Sequence, residues 1–235
     1  MADKSNLPDK RRPGLISRTL KALEEGLTGV GAEIEQKGAL QSIGQVLQRV
    51  RGKTLVEDLH REWMRLRQSG KIEPDYEESA QYLDCLHEIF EFLDNDIPDE
   101  ARFNAIKKIF LVAASEEVSV RDDSLPQHYI RLCKALSPGA VMVMLTEYVL
   151  IAKNPPEGSF PRSTSVKGWQ NGIAANSGLE HAEMVALFED ELIERNILTP
   201  KGPVDTRQTT ITQQGRLTGL GWGLCEFIAH ADSLL

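Results

Sequence analysis

The chain has 235 residues, a formal net charge of −8 and 41% hydrophobic residues. That length suffices for one large domain or two small ones with real cores, and the composition is that of an ordinary globular protein, which excludes a low-complexity polymer. Charge is uneven: residues 1–71 carry 14 Lys and Arg against 9 Asp and Glu, a balance of +5, so the remainder stands at −13.

Met1 to Pro13 is polar and is expected to be a flexible basic tail. It lacks the apolar segment of a secretory leader, and the expected compartment is the cytoplasm. Leu15, Ile16, Leu20, Leu23 and Leu27 then form a helical stripe with charged residues opposite, a candidate contact for a protein partner or for self-association. The Lys10, Arg11, Arg12 and Arg18 cluster beside it is the candidate nucleic-acid contact in an alternative reading. A second helical pattern runs from about Ala32 to Val50. Gly52 breaks it, and Thr54-x-x-Glu57 restarts it as a capping box, in which each side chain satisfies an orphan backbone donor.

Leu55, Leu59, Trp63, Met64 and Leu66 line one side up to Gly70. From about Glu77 to Leu93, Tyr82, Leu83, Leu86, Ile89, Phe90 and Leu93 mark an amphipathic helix with Asp84, His87, Glu88 and Glu91 outward. His87-Glu88 lacks the second histidine of the H-E-x-x-H zinc pattern, so no metal is expected there. Ala101 to Ala114 is apolar on nearly every side, which predicts a helix in the middle of a bundle. Ser124-Leu-Pro-Gln127 and Ser137-Pro138 open two more helices. The apolar run Ala140–Ala152 is too short to span a bilayer, which needs about 20 residues.

Asn154 to Ser165 reads as an exposed loop, and Val166 to Ala175 as a short helix around Trp169. Ser177 and Glu180 have capping-box spacing before a helix whose stripe is Leu179, Met184, Leu187, Phe188, Leu192 and Ile193. Asn196 ends it, being tolerant of the left-handed conformation. Ile197-Leu198, a turn at Lys201–Asp205, and Thr209-Thr210-Ile211 predict two short strands, and a last helix closes the chain. The expected fold is mainly α: a helical domain over 14–123, then a winged-helix-like α+β domain over 124–235 with a two-stranded wing.

Chemistry is sparse. Cys85, Cys133 and Cys225 are odd in number and widely spaced, which argues for buried thiols over disulfides or zinc. The five histidines belong to no recognisable motif, and the glycines at 219, 221 and 223 lack the strand and charged partner that dinucleotide binding uses, so close helix packing is their expected purpose. No catalytic constellation and no cofactor are expected. The predicted recognition helix, Leu179 to Asn196, carries six acids against one arginine, which phosphates would repel. The leading expectation is therefore a non-enzymatic interaction or regulatory protein, and the alternative a DNA-binding regulator using the basic N-terminal arm.

From about Pro98 to His230 the chain resembles the bacterial abortive-infection alpha (Abi-alpha) family. The pieces that carry the resemblance are Phe110-Leu111-Val112-Ala113-Ala114, Leu136-Ser137-Pro138, Leu192 to Leu198, and Ile211-Thr212-Gln213-Gln214-Gly215 running into Cys225. Asn196 stands where the family pattern has glycine. The resemblance implies a role in anti-phage defence and brings no catalytic residues with it.

Overall fold

A computed structural model describes residues 39–72, 76, 79–95, 99–115, 124–153, 166–200 and 216–235. These form eight helices: α1 Ala39–Gln68, α2 Ala80–Asn95, α3 Glu100–Ala113, α4 Leu125–Ala135, α5 Pro138–Lys153, α6 Val166–Ser177, α7 Ala182–Glu194 and α8 Gly219–Leu234. The chain divides within α1 into two compact units, Met1–Arg65 and Leu66–Leu235.

In the first unit, α1 passes through Gly52 and Thr54 without a break, contrary to the restart expected there. A single glycine costs a helix interior only about 1 kcal/mol, less than the propagation of the turns on either side supplies. Ion pairs brace the helix at i,i+3 and i,i+4, Arg61–Asp58 at 3.1 Å and Lys53–Glu57 at 3.8 Å. The predicted stripe Leu15 to Leu27, the basic cluster Lys10 to Arg18 and the tail before them lie outside the described residues.

In the second unit α3 is the central element, packed by α4, α5 and α8. Its buried residues run Phe103, Ala105, Ile106 and Lys107, then Ile109 to Ala113, so nearly every side is covered, as the all-round apolar sequence predicts. Asp99 caps it by accepting the Arg102 amide at 2.8 Å. Against it stand Tyr82 and Tyr76, with Tyr82 and Phe110 ring centroids 5.8 Å apart. Helix α2 buries Tyr82, Cys85, Leu86, Ile89, Phe92 and Leu93, whereas Leu83 is exposed.

Glu88 departs from the solvent face assigned to it by periodicity. It is only 4% exposed because α4 lies over it, and Arg131 Nε and Lys134 Nζ reach its carboxylate at 2.6 and 2.7 Å. Burial pushes its pKa up, but the bonds from Lys134 and Arg131 outweigh this and hold Glu88 below the ordinary carboxylate range.

The winged-helix expectation is not met. Among the described residues there is no strand, and the one pairing near the expected wing is a single antiparallel bridge between Leu198 and Leu217. The cause is local. Asn196 adopts φ 56° and closes α7 in a Schellman motif, Ile197 N–H donating to Leu192 O at 2.9 Å and Asn196 N–H to Ile193 O at 3.0 Å. Ile197 and Leu198 are then fully buried, and Pro200 has no N–H with which to extend a ladder. On the opposing side Thr218 already caps α8, its hydroxyl accepting the Gly221 amide at 3.1 Å. The second predicted strand, Thr209 to Ile211, and the predicted loop from Asn154 to Ser165 lie outside the described residues.

Candidate functional site

Helix α7 presents two chemically different faces. Its N-cap is His181, not Ser177, which instead ends α6 and accepts the Leu179 amide at 3.3 Å around Gly178, whose φ is 77°. Val185, Glu189 and Leu192 point into the unit and are buried completely. Met184 and Leu187 point out, 41% and 71% exposed. The apolar stripe expected to face a core is thus split, with part of it on the surface and a carboxylate in its place inside.

Close approach to α5 fixes this rotation. Gly139 has Phe188 against it, and a β-carbon there would fall 2.1 Å from the ring. Glu191 anchors the same contact by accepting the Ser137 amide and hydroxyl, both at 2.6 Å. With Phe188 and Glu191 held by α5, Leu187 is turned outward. Glu183 and Asp190 flank it one turn away on either side, and Glu180 and Glu194 are exposed farther along. The outer face of α7 is therefore an apolar centre with an acidic border.

Behind this face lies a buried polar cluster drawn from α5, α6, α7 and the link into α8. Glu189 Oε1 pairs with Arg216 Nη1 at 2.6 Å, and its Oε2 accepts Gln170 Nε2 at 2.9 Å. Glu147, 1% exposed, accepts the Arg216 backbone N–H at 2.8 Å. The Arg216 guanidinium sits 4.4 Å from the centre of the Trp169 ring, a cation–π contact, and donates to Thr199 O at 3.0 Å. The Trp169 indole N–H is near enough to favour the Glu147 anion, yet the pair misses hydrogen-bond geometry, leaving Glu147 Oε2 and Trp169 Nε1 without bonded partners. Burial pushes the Glu147 carboxyl up to about 7; the Arg216 N–H and charge oppose the rise, and the neighbouring Glu189 adds to it.

The sequence singled out Glu189 only as one acid among six on the predicted recognition helix, and it gave Glu147 no role within its apolar run. The available signal for Glu147 was that interruption, a lone carboxylate in the apolar stretch of α5. Its partner Arg216 is 69 residues away, beyond the reach of any local pattern.

Other candidates resolve into structure. Cys85, Cys133 and Cys225 are buried and free; burial pushes the Cys85 and Cys133 thiols up to about 12, so neither is a thiolate nucleophile near neutrality. Gly221 serves close packing, since a β-carbon would lie 2.4 Å from Ile197 O. A groove of about 310 Å³ between α5 and α6 is lined by Leu145, Thr146, Val149, Leu150 and Asn176 and offers no titratable group. Among the described residues, no group of three His, Cys, Asp or Glu is placed to hold a metal ion, and no helix is long and apolar enough to cross a membrane. No family model, curated protein or solved structure matches the chain.

Proposed function

We propose that this chain is an interaction protein that recognises another protein through the outer face of α7. One observation carries the reading: Leu187, 71% exposed, and Met184 beside it form an apolar centre bordered by carboxylates. A scattered surface leucine is ordinary. A leucine and a methionine adjacent on a helix, with exposed acids one turn away on either side, are the arrangement of an interface centre with a polar rim. Burying the leucine in a partner's pocket contributes about 1.5–3 kcal/mol, and the acidic rim selects against acidic surfaces and draws basic ones.

The partner that fits is a protein presenting an apolar side chain between lysines or arginines, as an amphipathic helix does. Duplex DNA fits poorly, because the outward charges on α7 repel phosphate and offer no neutralisation. The process we propose is anti-phage defence, on the resemblance of the segments at Leu136–Pro138 and Leu192–Leu198 to the Abi-alpha family.

Leu187→Asp in the full chain tests the contact. Affinity capture from the source cell and a native mass spectrum should show a partner or a second copy with the wild type and lose it with the variant, while thermal stability stays unchanged because Leu187 touches little of its own fold. Retention of every partner by Leu187→Asp would dismiss the assignment. Plaque formation on bacteria expressing either form tests the process: the wild type should reduce it, and the variant should not.

A further inference from the structure

The partner chemistry that α7 fits is written in the chain's own sequence. Residues 10–23 hold five Lys and Arg and no Asp or Glu. Leu15, Ile16, Leu20, Leu23 and Leu27 run through and just past them, spaced as one side of a helix. The outer face of α7 has the converse make-up. Met184 and Leu187 are exposed at its centre, and Glu183, Asp190 and Glu194 are exposed around them, with Glu180 just before the helix. Against these four acids stands one exposed arginine, Arg195 at the C-cap.

We propose that the chain self-associates by seating the basic, leucine-bearing segment Lys10–Leu27 of a second copy on the outer face of α7. The inference rests on the reading of α7 as a recognition surface and names its occupant.

Charge decides among the occupants that a second copy could offer. Two α7 faces set against each other would bring Glu183, Asp190 and Glu194 opposite acids of the same kind, which an interface disfavours. The segment Lys10–Leu27 brings the opposite sign together with the apolar side chains that Met184 and Leu187 need. Lys10, Arg11 and Arg12 immediately precede its leucines, as Glu180 and Glu183 precede Leu187, so a parallel seating matches the two heads. Arg18 and Lys21 fall opposite the leucines at helical spacing and add attraction only at longer range. Along the chain this segment is followed by α1, which is 30 residues and about 45 Å long, before the second unit begins. The segment of a second copy does not have to double back along that length. Each copy carries one segment and one α7 face, so two reciprocal seatings close a two-fold dimer.

Sedimentation equilibrium and native mass spectrometry of the full chain test this. The wild type should be a dimer at low salt and loosen as salt rises, since exposed charges are screened. Leu20→Asp and Leu187→Asp, one on each side of the contact, should each raise the dissociation constant roughly a hundredfold or more, because either change spoils both seatings. Mixed together, the two variants should recover a heterodimer of intermediate affinity, through the one seating that both leave intact. Arg11→Glu with Arg12→Glu should weaken the dimer likewise, and adding Glu183→Lys with Asp190→Lys to the same chain should restore it. A wild type that is monomeric at low salt, a dimer unmoved by Leu187→Asp, or no recovery in the mixture or by charge exchange would each overturn the proposal. Were the wild type monomeric while Leu187→Asp still lost capture of a different protein, the occupant would be wrong and the recognition surface would stand. Were neither capture nor dimer to respond to Leu187→Asp, both would fall.

Discussion

Glu88 shows what a buried charge does when its partners are complete. Arg131 Nε at 2.6 Å, Lys134 Nζ at 2.7 Å and Gln127 Nε2 at 3.3 Å all reach one carboxylate and tie α4 to α2. Replacing Glu88 by alanine leaves Lys134, whose side chain is 17% exposed, with Glu91 alone, and should cost about 1–3 kcal/mol. The Arg131 share is small, because that side chain is 54% exposed and solvent screens it. Urea midpoints at neutral pH check this value. The pH dependence has a fixed sign: a carboxyl held below its ordinary value stabilises above that range, and the effect disappears as pH falls through the lowered folded value. Glu88→Ala should therefore unfold with a shallower acid limb than the wild type.

Gly221 and Gly219 differ at the level of the element. Both lie in the first turn of α8, but a β-carbon at 221 would meet the Ile197 carbonyl at 2.4 Å, whereas at 219 it would meet open space. The carbonyl has no freedom to retreat, since it accepts the Thr218 N–H at 3.0 Å and belongs to the turn that Asn196 closes. Gly221→Ala should cost about 1–3 kcal/mol, the usual penalty of overpacking. Gly219→Ala should be neutral or stabilising by up to about 1 kcal/mol, through a less flexible unfolded chain. Thermal melting of the two variants separates these outcomes.

Such elements were unevenly legible in the sequence. Gly221 of α8 was recognisable as a packing site, Asn196 as a helix end and α3 as a central helix, because each depends on its own residues, whereas Gly219, expected to pack likewise, faces open space. The rotation of α7 was not, since apolar counting favours Leu187 on the inside, while the structure chooses Glu189 for the sake of Arg216 and seats Phe188 against Gly139. Nor is the wing seen among the described residues: Ile197 and Leu198 turn into the interior, and the pairing beside them is the single bridge to Leu217, just before Thr218 caps a helix.

Across the second unit two of the buried acids, Glu88 and Glu147, act with opposite sign. The Glu88 network loses its effect on acidification, and the Glu147 cluster loses its effect as pH rises from 4.5 to about 7. Wild-type stability should therefore peak on the acid side of neutrality, within that window, and not at pH 7. Self-repulsion among the surplus acids of residues 72–235, net −13, would also ease on acidification, so the slope has two candidate sources that salt distinguishes. Ions screen exposed charges over about 3 Å at 1 M but reach a buried group far less. Calorimetric midpoints measured across the window at low and high salt should keep most of their fall toward neutrality when Glu147 is the cause. In Glu147→Gln the fall should be largely absent at both salt levels. A wild-type slope that vanished in high salt would instead assign the effect to surface repulsion, and the peak would belong to the molecule's net charge.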